Sequence, residues 1–375
     1  MDIPALPENL RRLRVERGLG QAELARRAGL SRPGYHQIEL GSVEPRSATL
    51  EAIARALRVP VADLLRPVAP LRQVRFRSEG PLRTRREIEA RISAWLGSYA
   101  ELEVLLDERK PWALAALADR VRREGPEVVA AQARAELGLG PCESIRDPCG
   151  LLEDHGLKVG TMCFATRRFF GLSIGASGGG PAIVVNTWSR ITVERWIFTA
   201  AHELGHLLLH QADYDPAARN DDPSHERQAD AFASAFLMPP DAFVDEWDEA
   251  RGLPIVDRVM KVKRIFRVSW RTVLHRAARL GDDRAWKLFL DAHRQESGVE
   301  LARTDEPEAL RADDFKPGPA DKEPRPLDST DFCEDRLRRL VRHAVEREVV
   351  SLSRAGEILR LPLAEMRRLA AAWTR

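Results

Sequence analysis

Apolar positions recur three and four residues apart over most of this chain, the period of helices that bury one face. In residues 7–65 they mark short helices separated by turn signals. Leu10 and Leu13 share a face of Pro7–Arg17, which ends at Gly18. Leu24, Ala25 and Ala28 do the same for Gln21–Ala28, closed by Gly29. Ser31 has the character of an N-cap for a helix that runs to Leu40 and stops at Gly41. Leu50, Ile53, Ala54 and Leu57 make Ser47–Leu57 amphipathic, and a last turn follows at Val61–Leu65. Five short helices with a tight Ala28-Gly29-Leu30-Ser31 turn between the second and third predict a helix-turn-helix domain.

Further along, helical periods cover Glu87–Arg109, Pro111–Arg123 and Pro126–Leu137. Short strands are expected at Gly156–Val159, Gly171–Ile174 and Pro181–Asn186. Helices return at Thr192–His210 and Ser224–Leu237, the second stopped by Pro239-Pro240. Two more flank Val268-Ser269 within Val256–Leu280, and a small helical unit spans Asp331–Trp373, where Ser351–Trp373 has a helix-turn-helix-like look whose C-terminal place suggests packing or substrate docking rather than base reading. Residues 301–330 carry five prolines and many charges, the composition of a linker. The pattern predicts a mostly α chain with a small sheet (α+β). Its expected divisions are 1–66, a basic helical connector at 67–125, a central domain at 126–300, the linker at 301–330 and the C-terminal unit at 331–375.

Composition narrows the class. Two or three domains are expected of 375 residues, and 44% hydrophobic residues suffice for a core. No run of about 18 apolar residues suggests a membrane span, and Met1–Leu10 has no apolar signal segment. Cys142, Cys149, Cys163 and Cys333 are spaced neither as a C-x-x-C metal site nor as a disulfide framework. Reduced thiols and a cytoplasmic location are the expectation. Charge is uneven: residues 1–100 hold 18 arginines, no lysine and 11 acidic residues, an excess of 7 positive charges, while the whole chain is +2. Such a basic part suits a polyanion partner, or a solvated arginine-rich surface. Eight of the arginines fall in Arg66–Arg91, where they extend phosphate contact or merely solvate a connector.

The chemistry concentrates in Ala200–His210. His202-Glu203-Leu204-Gly205-His206 is an H-E-x-x-H run on a helix. Residues four apart share a face, so His202 and His206 can both reach one zinc ion. Glu203, about 100° round the helix, borders that site and can take a proton from a metal-bound water. A catalytic zinc normally takes three protein ligands. His210 is about 12 Å in rise from His202 on a straight helix, too far to join. Glu226 is the better third ligand, near the start of the next helix. Asp230, one turn on, can hold the outer N–H of a ligating histidine. His225 and Tyr214 are candidate transition-state donors by sequence proximity. Cys163, between two expected strands, is a candidate regulatory thiol that would occupy the open zinc position, or else a small buried residue.

Together, His202–His206, Glu226-x-x-Ala229-Asp230-x-Phe232-Ala233 and Leu237-Met238-Pro239 resemble the ImmA/IrrE family of metallopeptidases, over about Pro126 to Gly281. The resemblance implies a gluzincin-like zinc peptidase core, a Zn2+ cofactor and cleavage of helix-turn-helix repressors under stress, DNA damage or phage control. Ile183–Asn186 fits that family's layout and is expected to offer a strand edge to substrate, or simply to belong to the core sheet.

Gln21-Ala22-Glu23-Leu24-Ala25, Gly29-Leu30-Ser31 and Ile38-Glu39-x-Gly41 resemble the XRE/Cro–CI repressor family. That implies Ser31–Leu40 as recognition helix, with Arg32 and Gln37 facing bases and Gln21 on the phosphate backbone. Pro33 is tolerated in the first helical turn, whereas Gly34 costs about 1 kcal/mol relative to alanine. The partners expected are an HTH-repressor substrate and double-stranded DNA, with single-stranded DNA as an open activator, a homodimer as an open assembly and no membrane. Two readings stand: a regulatory zinc endopeptidase, self-cleavage at Arg66–Arg91 included, and an XRE-type regulator whose zinc domain senses a ligand or metal without proteolysis. The helix-turn-helix domain itself binds DNA or another protein.

Overall fold

A computed structural model describes residues 6–65, 71, 73–78, 85–121, 124–214, 222–302, 305–307 and 327–373. The chain divides into two compact units, one of residues 1–71 and 81–103, the other of residues 72–80 and 104–375. Most of the expected linker at 301–330, and residues 66–70, 72 and 79–84 of the basic connector, lie outside the described residues.

The first unit begins with α1 (Leu6–Glu16), α2 (Gln21–Arg27), α3 (Arg32–Glu39), α4 (Ser47–Leu57) and α5 (Val61–Leu65). Leu10, Leu24, Tyr35, Ile53, Leu57 and Leu64 form its core. Ser31 caps α3 by accepting the Gly34 N–H at 3.1 Å. A Cβ on Gly34 would stand 3.0 Å from that Ser31 Oγ, so this glycine serves the cap. The Asn9 amide donates to the Leu64 carbonyl at 3.1 Å and closes α5 onto α1.

The second unit opens with β1 (Val74–Ser78), and α6 (Arg85–Leu106) runs from the first unit into it. Then come α7 (Ala115–Arg120), α8 (Pro126–Glu136), α9 (Pro148–Asp154), β2 (Lys158–Met162), β3 (Phe169–Ile174) and β4 (Ala182–Asn186). The helices α10 (Val193–Leu209), α11 (Pro223–Leu237), α12 (Pro240–Glu249), α13 (Ile255–Phe266), α14 (Trp270–Arg279) and α15 (Arg284–Ser297) follow. The chain closes with α16 (Arg336–Glu346), α17 (Leu352–Leu359) and α18 (Leu363–Trp373).

Four strands form one sheet in the order β1-β3-β4-β2, antiparallel at β1/β3 and β3/β4 and parallel at β2/β4. Mostly α with a small sheet is therefore the observed class. β4 is an inner strand, fully buried, so its backbone is paired on both sides. The expectation that Ile183–Asn186 offers an edge to substrate is corrected: the edges are β1 and β2. α11 ends at Leu237, and Pro240 occupies the first turn of α12, where its fixed φ is favourable.

One core runs across the boundary expected at 125. Leu114, Leu117 and Val121 join Val129, Ile183, Val185 and Phe332 in the same cluster. At its centre α10 is gripped on two sides. A Cβ on Gly171 of β3 would meet Thr199 Cγ2 at 2.7 Å, and one on Gly205 would meet the Phe232 ring of α11 at 2.9 Å. Thr192 caps α10 through the Arg195 N–H at 3.4 Å. Glu194 in its first turn receives the buried Lys263 ammonium at 2.8 Å.

This packing sets two expected outcomes. Gly205→Val should destabilise the second unit by about 1–3 kcal/mol, the usual cost of overpacking, read as a lowered urea midpoint. Glu153 of α9 is fully buried and accepts the Asp335 and Arg336 N–H groups at 2.9 and 3.0 Å. Burial pushes its carboxyl from the ordinary 4.5 up to about 7. The folded chain then binds the proton more tightly than the unfolded one, so stability from this group falls as pH rises between those values. Glu153→Gln, which keeps an acceptor oxygen, should match the wild type at pH 5 and exceed its denaturation midpoint at pH 8.

Candidate metal centre

His202 and His206 lie one turn apart on α10, both buried, with their Nε2 atoms 3.0 Å apart. Glu226, in the first turn of α11, brings Oε2 to 3.3 Å from His202 Nε2 and Oε1 to 3.4 Å from His206 Nε2. Ligands about 2.0–2.1 Å from a tetrahedral zinc stand about 3.3 Å from one another. The three observed edges fit that spacing. Among the described residues this is the one His/Cys/Asp/Glu group so arranged.

The outer nitrogens fix which way the inner ones face. His202 Nδ1 lies 2.7 Å from Asp230 Oδ1, and a carboxylate only accepts, so Nδ1 carries the proton. His210 Nε2 donates to Gln228 Oε1 at 2.8 Å. Its Nδ1 is then left to accept from His206 Nδ1 at 2.9 Å. Burial lowers the His210 pKa to about 4, which keeps it a neutral acceptor. Both ligating histidines thus turn bare Nε2 lone pairs toward the Glu226 carboxylate, the tautomer a metal requires. His210 is a support behind His206, as the rise along the helix required.

Glu203 is fully buried. Its Oε2 accepts from the Ser173 hydroxyl, which in turn accepts from Tyr214 at 2.7 Å. Among the described residues its buried Oε1 has no partner. Burial raises the Glu203 pKa, against the Ser173 hydrogen bond. Burial also opposes ionisation of Glu226, and the Arg75 guanidinium at its Oε1 favours it.

Arg75 and Arg77 come from β1, whose register sets Arg75 opposite Ser173 and Arg77 opposite Gly171. Arg75 pairs with the buried Asp213 and donates to Glu226 Oε1 at 2.8 Å. Arg77 reaches Asp230 Oδ1 and Thr199 Oγ1, each at 3.3 Å. This corrects the reading of these two arginines as phosphate contacts or solvated connector charges. The signal was present: Val74-Arg75-Phe76-Arg77 alternates with the period of a strand.

Other expected residues fall differently. The Tyr214 hydroxyl is buried and engaged with Ser173, so it supports Glu203 instead of facing a transition state. His225 is held by Asp213 at 2.7 Å and stacks on His210 with ring centres 4.2 Å apart. Cys163 is exposed and outside the ligand group. It follows β2, the sheet edge opposite to β1, which separates it from Ser173 and Glu203 by the width of β4.

Comparison with known proteins agrees with this geometry. Residues 153–278 match the IrrE N-terminal-like domain of the M78 peptidases, and residues 10–64 match the Helix-turn-helix family. The chain is a fusion of these two domains. Part of the fusion is also 39% identical over 56 residues to the cryptic phage CTXphi transcriptional repressor RstR of Vibrio cholerae. That stretch is 15% of the fusion and 50% of the repressor, so the fusion spans about half the length of this relative.

In the fusion's helix-turn-helix domain, Arg32 and Gln37 are exposed on α3. Gln21 instead donates to Glu39 Oε1 at 2.9 Å, beside the Arg14–Glu39 ion pair of 2.7 Å. This internal network ties the start of α2 to the end of α3 through one N–H of the Gln21 amide.

At the metal centre, Asp230→Asn should lower the affinity of the fusion for Zn2+ about 10–100-fold. Competition with a chromophoric chelator measures this, and an unchanged melting temperature would show that the fold is intact.

Proposed function

We propose that this fusion is a zinc-dependent regulatory endopeptidase that cuts a helix-turn-helix repressor, with its N-terminal domain bound to DNA. The observation that carries the reading is Glu203. A sensor needs only the three ligands, whereas a buried carboxylate with an unpartnered oxygen beside them is what a hydrolase requires. His202, His206 and Glu226 would hold the metal, which when bound supplies an acidified water and polarises the scissile carbonyl.

The chain's own groups do the rest. Burial disposes Glu203 to take up a proton at Oε1 and pass it to the leaving amine. Ser173, held by Tyr214, keeps Oε2 fixed so that Oε1 faces the reaction. Asp230 and His210 keep the ligating rings from turning. The likeness of the N-terminal domain to a phage repressor points to a substrate of that same class. Stress, DNA damage or phage entry would be the occasion for its cleavage.

Glu203→Gln is the test, with the tagged variant recovered from its host before and after DNA damage. The variant should retain zinc and DNA, hold a small helix-turn-helix protein, and cleave it about 10²–10⁴-fold more slowly than the wild type. Undiminished cleavage, or normal regulation by the variant, would overturn the peptidase reading and leave a metal-sensing regulator.

A further inference from the structure

The C-terminal helices α17 and α18 keep the register of α2 and α3 from the first N-cap into the second helix, with α17 one residue longer than α2 and α18 three longer than α3. Both first helices start after an extended N-cap, Gly20 at φ −72° and ψ 156° and Ser351 at φ −71° and ψ 156°. At the same place along each lies a small buried residue, Ala25 and Gly356. Each offers its carbonyl to an N–H further on, Leu30 to Ala25 at 2.8 Å and Leu361 to Gly356 at 2.8 Å. The turn residue before that donor is left-handed in both, Gly29 at φ 70° and Arg360 at φ 57°. The second helices then begin at Arg32 and Leu363 in the same register. Tyr35 donates to the Ser31 carbonyl at 3.0 Å as Met366 does to that of Pro362 at 2.9 Å. Tyr35 and Met366 are also the matching buried anchors of the two second helices, each at 0% exposure.

The close packing that defines the motif is visible at Gly356. A Cβ there would stand 2.9 Å from the Leu361 carbonyl and 3.5 Å from Met366 Cβ, so α17 touches both the turn and α18. α18 is otherwise turned outward: Leu363, Ala364, Glu365, Arg367 and Arg368 are exposed. Arg367 and Arg368 fall at the places of His36 and Gln37 on α3. Among the described residues neither has an acidic partner. From Arg336 to Trp373 the sequence holds nine arginines against four glutamates and no lysine or aspartate.

We propose that α17 and α18 form a second helix-turn-helix that binds double-stranded DNA, with α18 in the major groove. Shape and charge agree. A helix exposed along one side, anchored by one apolar residue and set off by a tight turn, is how such a unit presents side chains to base edges. A net excess of arginine supplies the attraction to phosphate. No residue of α17 or α18 belongs to the metal centre, so this second site is independent of whether the fusion is a peptidase.

Binding of the full-length chain to a fluorescent 30-base-pair duplex of mixed sequence, followed by anisotropy between 50 and 200 mM salt, tests it. Arg32→Glu with Gln37→Glu removes the N-terminal contribution, and duplex binding should remain. Adding Arg367→Glu and Arg368→Glu should weaken that remainder about 10-fold or more and lower the salt slope by about two, one per lost phosphate or base contact. Arg367→Lys with Arg368→Lys should keep the slope. Melting curves verify that each variant is folded. Loss of all duplex binding in the N-terminal variant alone would overturn the proposal. So would an unchanged slope in the combined variant, or a change in sedimentation mass instead of in DNA affinity, which would make α18 a protein interface.

Discussion

Helix α10 lies against β3 at a separation that glycine at 171 permits, since any β-carbon there would run into Thr199 and into the Val184 carbonyl. The geometry of the candidate metal centre hangs on that approach. Ser173 sits two residues along the same face of β3, so bringing the backbones together also brings its hydroxyl onto Glu203. With α10 so placed, the next helix must cross at Gly205, where Phe232 fills the groove. That crossing carries Glu226 and Asp230 to the two histidines. Three side chains from two helices meet at one point because two glycines set the distances between backbones.

Charge around that point runs the same way. Asp213 and Glu226 pair with Arg75, and Asp230 with Arg77, beside the buried Glu203. Carboxylates outnumber guanidiniums there. The two arginines nonetheless matter, because like charges crowded at low dielectric raise one another's pKa. They let Glu226 stay ionised beside Asp230 and Glu203.

Much of this was legible in the sequence. His202, Glu203 and His206 declare themselves by spacing, and Glu226 and Asp230 by lying one turn apart at the start of a helix. The turns at Gly29 and Arg360 show in the placement of small and apolar residues around them. What escaped was set by long-range pairing. Nothing local to Val74–Ser78 says that it will lie beside β3, which follows only after α6 to α9 and β2, and its basic residues invited a nucleic-acid reading. Gln21 is a like case: nothing local says that Glu39 will be brought to its amide by folding. Of the helices not expected, α9 is short at seven residues, whereas α15, at fourteen, carried its signal in Ala285, Phe289 and His293 spaced four apart.

The path of the chain through β1 carries a consequence for anyone who would take the fusion apart. The strand belongs to the peptidase unit, yet the residues on either side of it, up to 71 and from 81, belong to the other. A single scission can therefore never separate the two cleanly. A fragment begun after the connector would lose the outer strand, bare the hydrogen-bonding edge of β3 to any passing chain, and strip Asp213 of its guanidinium. The helix-turn-helix half, truncated before residue 72, would lack the portion of α6 that its own unit includes. The two units alternate along the sequence, and a biochemist isolating either one must graft or circularly rejoin the chain instead of clipping it.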